Sequence, residues 1–307
     1  MSMKKIAVIG SFNRDMIIQV SHIPARGETV GNGRFSEAFG GKGANQALAC
    51  ARAGGSIIFV SSVGLDSVGN QAIQQFVAEG IETRFMRQTD IENTGTAFIF
   101  VGDDGENSIA VAPGANEYLQ DPLIDEASGE LATTAFILMQ LEIPFSTVEY
   151  VLDKAQHWQV PVILNPAPAR SLSDAVLAKV HTLILNETEA EIISGEKLSE
   201  KKALQTITRQ LIGKGPQIVI ITLGSQGAYV ASENFNGLIP GYKVETVDTT
   251  AAGDVFCGAF TTAICHDLPL ADAVKFANAA GALATTKLGA QSSVPYKKEI
   301  EALWKKK

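Results

Sequence analysis

Phe136-Ile137-Leu138-Met139-Gln140, Val162-Ile163-Leu164-Asn165 and Thr182-Leu183-Ile184-Leu185 are short apolar runs separated by Ser146–His157 and Leu172–Val180, and their reading decides the fold. Each run is almost wholly apolar, as in parallel strands covered on both faces, and the two spacers read as helices. Repeated strand–helix–strand units imply a parallel sheet with right-handed connections. The rhythm continues outward. Ile6–Ile9, Ile57–Ser61, Ile218–Thr222 and Ala228–Ser232 read as strands, and Ala44–Ala53, Val68–Ala78 and Glu200–Lys214 as helices. In Val68–Ala78 the apolar Val68, Ala72, Ile73, Phe76 and Val77 follow helical spacing. Gly253–Lys287 is strongly helical apart from a break at His266-Asp267-Leu268-Pro269. Lys297–Lys307 reads as an amphipathic helix whose basic end suits its dipole.

Two stretches break this rhythm. Met16–Phe39 has no helical pattern, and Met16–Val20, Glu28–Val30 and Arg34–Phe39 read as short strands separated by Pro24, Gly27, Gly31 and Gly33. Thr94–Val111 reads as a hairpin, Thr96–Val101 and Asn107–Val111 about a turn at Gly102-Asp103-Asp104-Gly105. Two such helix-free insertions, 16–39 and 94–111, can pair into a small sheet outside the main one, as a lid or as an edge extension.

The 307 residues suit one large α/β domain or two modest ones, and a hydrophobic content of 46% is enough for a substantial core. A net charge of −8 disfavours nucleic acid and anionic membranes as partners. It leaves room for a small anion in a locally positive pocket. The Ile6–Ile9 run is too short for a signal-peptide core or a membrane span. Cys50, Cys257 and Cys265 form no metal-ligand pattern and suit reduced thiols, so the expected compartment is the cytoplasm. His22, His157, His181 and His266 are scattered, with no ligand partner nearby in sequence.

Three sets of residues carry chemistry. Asp248-Thr249-Thr250-Ala251-Ala252-Gly253-Asp254 follows an extended stretch, Tyr242–Val247, and opens a helix. Small residues at 251–253 let backbone N–H groups converge at a helix start, which suits a phosphate gaining charge during transfer. A carboxylate there, Asp254, can take the proton of an attacking hydroxyl; the plainer reading is an N-cap aspartate. Phe39-Gly40-Gly41-Lys42-Gly43-Ala44-Asn45 is a glycine-rich turn into a helix that fits neither a Walker A motif nor Gly-x-Gly-x-x-Gly. Polar residues also follow strand after strand: Asn13 and Asp15, Glu142, Asn165, Asn186 and Glu189, Thr222 and Gly224. In an open parallel sheet, ligands bind beyond the carboxyl ends of strands, so these residues converge on one edge.

In this order, the segments resemble the ribokinase-type (PfkB) sugar kinases over nearly the whole chain. The motifs are Phe39–Asn45 continued by Gln46-Ala47, Met139-Gln140-Leu141-Glu142, Asn165-Pro166-Ala167-Pro168-Ala169, Asn186-Glu187-Thr188-Glu189, Thr222-Leu223-Gly224-Ser225-Gln226-Gly227 and Asp248–Asp254. The resemblance implies one α/β domain over 1–307, a three-layer α/β/α ribokinase-like fold. It would have a mostly parallel central sheet, a small β lid and a homodimer through lid strands. By matched positions, Asn13, Arg14, Asp15, Gly41, Lys42, Gly43, Ala44, Asn45 and Glu142 would line the sugar site. Asp254 would be the base, and the amides of Ala251, Ala252 and Gly253 the anion hole. Asn186, Glu189, the loop of Thr222, Leu223, Gly224, Ser225, Gln226 and Gly227, Gly253 and Asn278 would serve ATP, with Asn186 and Glu189 linked to Mg²⁺. A K⁺ beside the anion hole would be held at Asp248, Thr250, Ala284, Lys287, Gly289 and Ser293, mostly by carbonyls.

The implied reaction is transfer of the ATP γ-phosphate to the 5-hydroxyl of D-ribose. Deoxyribose, another furanose or a nucleoside are alternative acceptors, and a sugar sensor that has lost catalysis is the non-enzyme alternative. Two positions depart from the commoner pattern. Arg14 stands where a small or apolar residue is frequent, and Ala251 stands where the anion-hole motif usually has glycine.

Overall fold

The computed structural model describes residues 4–198 and 201–306. The expected helix start at Glu200 and the final Lys307 lie outside the described residues. The strands are β1 (Lys5–Ile9), β2 (Asn13–Val20), β3 (Arg34–Gly40), β4 (Ser56–Gly64), β5 (Met86–Thr89), β6 (Gly95–Gly102), β7 (Asn107–Ala112), β8 (Phe136–Met139), β9 (Val162–Leu164), β10 (Thr182–Asn186), β11 (Ile218–Thr222), β12 (Gly227–Ser232) and β13 (Asn236–Pro240). Nine of them form one sheet in the order β13-β12-β11-β10-β9-β8-β1-β4-β5. Every pairing from β11 to β5 is parallel, and β12 and β13 add an antiparallel edge.

The apolar runs lack alternation because both faces are covered. In β1, Ile6 and Val8 enter one core cluster and Ala7 and Ile9 the other. The same split separates Ile57 and Phe59 from Ile58 and Val60 in β4, and Ile184 from Leu183 and Leu185 in β10. One face carries α1 (Lys42–Arg52), α2 (Ser67–Ala78) and three later helices. The other carries α3 (Asp121–Leu131), α4 (Phe145–Trp158), α5 (Asp174–Leu177), α6 (Glu187–Ser194) and α7 (Lys201–Ile212). The later three are α8 (Ala252–Cys265), α9 (Leu270–Ala284) and α10 (Lys297–Trp304). The chain is thus a three-layer α/β/α structure.

The second sheet has the order β3-β2-β6-β7. It forms because β2 pairs antiparallel with β3 and parallel with β6, so each helix-free insertion supplies two neighbouring strands. Residues two apart in a strand share a face. Asn13 and Asp15 therefore lie on one face of this sheet and Arg14 on the other.

Some expected elements differ. Leu172–Val180 is helical only over Asp174–Leu177, because His181 N–H is already committed to Val162 O at 2.9 Å and the chain must turn into β10 at once. Glu28–Val30 joins no ladder, and the second insertion strand is Arg34–Gly40 alone. Tyr242–Val247 runs without strand pairing. Four elements had no assigned pattern. In α3 the buried Leu123, Ile124, Ala127 and Leu131 do follow helical spacing, while α6 is only eight residues long. β5 carries a single buried residue, and β13 is an edge strand containing Gly237 and Pro240. Among the described residues no helix is long and apolar enough to cross a membrane.

Candidate active site

Asp254 lies in the first turn of α8 and is buried, 6% exposed. It is not a cap: the N-cap is Ala251, whose side chain offers no acceptor, and the Asp254 carboxylate is engaged by α1 instead. Its Oδ2 accepts from Asn45 Nδ2 at 3.1 Å and its Oδ1 from Gln46 Nε2 at 3.0 Å. The two donors are adjacent on α1 and do not face each other, so both reach Asp254 only because the carboxylate stands between them. Ala251 adopts the left-handed region, φ 59°, where an L-residue with a Cβ is strained by roughly 1–2 kcal/mol. Of the three expected anion-hole amides, that of Ala252 already donates to Thr249 O at 3.2 Å.

The start of α1 is anchored from below. A Cβ on Gly43 would stand 2.6 Å from Gly10 Cα, so α1 sits backbone to backbone on the chain leaving β1. Gly41, φ 88°, makes the turn into the helix. Ala44 N donates to Ser11 O at 2.8 Å. Glu142, just beyond β8, accepts from Lys42 N at 2.9 Å and from Ser11 Oγ at 2.6 Å. The Lys42 ammonium is raised above its ordinary value, first by the Asp254 charge and then, against burial, by Glu142 and Glu189.

Asn13 Oδ1 accepts from Asn116 Nδ2 at 2.8 Å, and Asn116 also clamps the Phe12 backbone. Asp15 lies near Glu142. Burial, and then the Glu142 charge, pushes Asp15 from 3.8 up to about 7. Gly40, the strand partner of Asn13, leaves room for the Asp15 carboxylate, since a Cβ there would stand 2.6 Å from Asp15 Cγ. Arg14 does not join them. The strand pleat turns it to the face opposite Asn13 and Asp15, where Nε donates to Glu37 Oε2 at 2.8 Å.

On the other side, Asn186 and Glu189 are bound to each other. Asn186 Oδ1 accepts from Glu189 N at 2.8 Å, and Glu189 Oε2 accepts from Asn186 N at 2.9 Å. Burial raises Glu189 above the usual carboxylate range, opposed by the Asn186 amide and by Lys42. Thr222 ends β11, and Gly224, Ser225 and Gln226 form an exposed turn between Leu223 and Gly227. Asn278 uses its amide to hold Ile239 O and Pro240 O, both at 3.2 Å, tying α9 to the end of β13.

Asp248 gathers part of the expected cation site. Its Oδ1 accepts from Thr250 N at 2.9 Å and Thr250 Oγ1 at 2.7 Å, and its Oδ2 from Gly289 N at 2.8 Å. Burial pushes its pKa up, but these bonds outweigh burial and hold it below its ordinary value. Ser293 Oγ donates to Ala290 O at 2.7 Å, and the Lys287 ammonium reaches Glu299 at 3.0 Å. Ala284 is buried at the end of α9. Asp248, Thr250 and Gly289 are in direct contact, while Ala284, Lys287 and Ser293 stand along the same connection, with Ser293 Oγ and the Lys287 ammonium turned to Ala290 and Glu299.

Ser11, Gln46, Gln140 and Asn116 also belong to this site, although the sequence does not single them out. Ser11 and Asn116 belong to no motif and act through tertiary contact alone. Gln46 and Gln140 stand inside the motifs Phe39–Ala47 and Met139–Glu142, and that position is their signal in the sequence.

The fold and this arrangement define a carbohydrate-kinase architecture, and the chain belongs to the family described as "pfkB family carbohydrate kinase", whose model matches residues 3–297. It is 40% identical over 296 residues to the ribokinase of Haemophilus influenzae, covering 96% of this chain and 97% of that protein. It is 34% identical over 291 residues to the deoxyribokinase of Salmonella typhi, covering 94% and 95%. The structure of Arabidopsis thaliana ribokinase complexed with ribose and ATP matches with a TM-score of 0.91 and 28% identity, covering 100% of both chains.

Two predictions follow from the electrostatics and the strain. An ionised Asp15 accepts hydroxyl hydrogen bonds better than a protonated one. The KM for the sugar should therefore rise several-fold as pH falls from about 8 to about 6, with kcat less affected. The linkage for the sugar-free protein runs the other way. Between 3.8 and about 7 the folded state binds more protons than the unfolded state, so the Asp15 contribution to stability is present at low pH and is lost as pH rises through about 7. A sugar KM flat across that range sinks the assignment. At Ala251, replacement by glycine removes the left-handed strain but raises unfolded-state entropy by roughly 0.4–1 kcal/mol. The expected net is a gain of about 0.5–1 kcal/mol, read as a thermal midpoint about 1–3 °C higher. A lower midpoint for Ala251→Gly counts against strain at this turn.

Proposed function

We propose that this chain transfers the γ-phosphate of ATP to the 5-hydroxyl of D-ribose, giving ribose 5-phosphate and ADP, with Asp254 as the base. One observation carries the reading: a buried carboxylate at the first turn of α8, held by the side chains of Asn45 and Gln46 beside the Lys42 ammonium. Asp254 would accept the hydroxyl proton as the oxygen attacks. N–H groups at the start of α8 and Lys42 would meet the charge growing on the transferred phosphoryl group. Asn13, Asp15 and Glu142 supply acceptors for the remaining sugar hydroxyls. Asn186, Glu189 and the Thr222–Gly227 loop stand on the strand ends toward which ATP would lie.

Mg²⁺ would be held near Glu189 and the nucleotide phosphates, and would neutralise their charge. For K⁺ the donor chemistry fits. Asp248 is ionised and its carboxylate has about four lone-pair sites, of which the Thr250 and Gly289 donors use three. Carbonyls of the 284–293 connection would complete the set and fix the loop that leads into α8. The four-stranded sheet acts in this reading as a lid over 16–39 and 94–111, keeping water from the phosphoryl group. Phe35, Phe98, Ile109 and Val111 on it are about half exposed, which favours a homodimer formed through these strands. The 34% identity to a deoxyribokinase favours deoxyribose as the second reading. Three reduced, buried cysteines suit the cytoplasm.

ADP release measured across D-ribose, 2-deoxy-D-ribose, fructose 6-phosphate and adenosine should give the highest kcat/KM for D-ribose; a higher value for deoxyribose replaces the acceptor. Asp254→Asn should keep ribose binding by calorimetry while kcat falls roughly 10²–10⁴-fold. Near-normal turnover in that folded variant would exclude Asp254 as base. Titrating K⁺ into cation-free enzyme at saturating Mg²⁺ and ATP should raise activity more than Na⁺ does, and a flat response removes the cation from this reading. Hydrogen exchange should show β2, β3, β6 and β7 gaining protection on adding ribose, with β1 and β8 unchanged. Sedimentation should give a dimer at micromolar protein. No change in those four strands removes the lid, and a monomer removes the dimer.

A further inference from the structure

Beneath Asp254, Gln46 continues into a chain of buried amides, Gln140 and Asn165, to which the phosphoryl-transfer reading gives no role. Gln46 is fully buried, and both of its amide N–H donors and its oxygen are engaged. Its Nε2 donates to Asp254 Oδ1 at 3.0 Å and to Asn165 Oδ1 at 3.1 Å, and its Oε1 accepts from Gln140 Nε2 at 2.7 Å. Asn165 in turn donates from Nδ2 to Ile184 O at 3.0 Å. Gln140 is wedged against the end of β1, where Gly10 leaves it room. The orientation of Gln46 is therefore forced. A flipped amide would set its oxygen against two acceptor oxygens and its nitrogen against a donor.

We propose that Gln46 is a positioning residue for the base: held by Gln140 and Asn165, it fixes the plane of the Asp254 carboxylate and stabilises its ionised form. The last side-chain torsion of an aspartate is broad and roughly two-fold. One donor on each oxygen, Asn45 on Oδ2 and Gln46 on Oδ1, removes that freedom. A neutral donor on a buried carboxylate also favours the charged form without adding a cation that would compete for the phosphate. The anchors make Gln46 stiff: Gln140 directly follows β8, Asn165 directly follows β9, and Ile184 O belongs to β10. The relay thus ties the base to the ends of β8 and β9 and to the middle of β10. The titratable groups facing Asp254 are Lys42 from α1, Glu189 from α6 and Cys257 from α8 itself.

The inference rests on Asp254 being the base, and the test separates the two. Gln46→Glu keeps size and places an acceptor where the donor stood. The acid limb of its kcat profile should move to higher pH by about one unit or more, with kcat at neutral pH down at least about tenfold and ribose affinity by calorimetry near that of the parent. Gln46→Met removes the donor without adding charge and should move the limb less. A purely structural role would lower kcat along with the thermal midpoint and leave the limb in place. An unmoved limb in folded Gln46→Glu overturns the inference. Should Gln46→Glu fail to fold, Asn165→Leu releases the relay from its far end. It should lower kcat by about three- to tenfold at unchanged ribose KM, and parental kcat overturns the inference. Asp254→Asn is measured alongside. Surviving turnover there removes the base and this inference with it. An inactive Asp254→Asn beside an unmoved Gln46→Glu limb removes the inference alone.

Discussion

The close crossing of α1 and α8 is the constraint on which the site depends. At Gly258 a Cβ would stand 2.6 Å from Ala49 Cβ and 2.7 Å from Gln46 O. Cys50 Sγ donates to Gly258 O at 3.3 Å and Thr262 Oγ1 to Cys50 O at 3.1 Å across the same contact. Such an approach leaves no slack, because interiors are packed to the density of organic crystals. A side chain at Gly258 would force the helices apart, and Asp254, one turn earlier on α8, would leave the reach of Asn45 and Gln46. Glycine at 43 repeats the device below, seating α1 on the end of β1. The polar site is thus held by helix packing well outside it.

The charges around this crossing balance one another. Lys42 has Asp254, Glu142 and Glu189 around it, and each carboxylate is also tied by neutral donors: Asp254 by two amides, Glu142 by Ser11 and Lys42 N, Glu189 by Asn186. Asp15 differs: burial and then the Glu142 charge both push it up, to about 7. A pocket left in that state favours a ligand with several hydroxyl donors, which would supply what Asp15 lacks.

The same pleat that gives the small sheet its two faces separates the roles of neighbours in sequence. Asn13 and Asp15 face the start of α1, while Arg14 between them pairs with Glu37 on the far side. A substitution at Arg14 therefore acts on the outer face of the sheet and reaches the pocket only through strand position. The four strands are joined to the main body at Asn13, Gly40, Gly95 and Ala112, so closure and pocket geometry share the same few residues.

The sequence by itself determined the α/β class, seven of the nine strands of the main sheet and the two insertions that form the second sheet. Those follow from local pattern: short apolar runs without alternation, bounded by turn residues and alternating with helical segments, suit strands buried on both faces, and Met16–Phe39 offers no helical face. The two signature motifs also marked Asp254 and the start of α1. Elements without a long apolar pattern stayed hidden, namely β5, β13 and the short α6, whose order comes from neighbours and a capping box. Leu172–Val180 read as a longer helix than the nearby β10 permits. Only the tertiary structure decided which polar residues touch. Gln46 and Asp254 are 208 positions apart, and Ser11 and Glu142 are 131 apart. No periodicity in a chain encodes such distances; they arise when two helices and several strand ends are packed into one place.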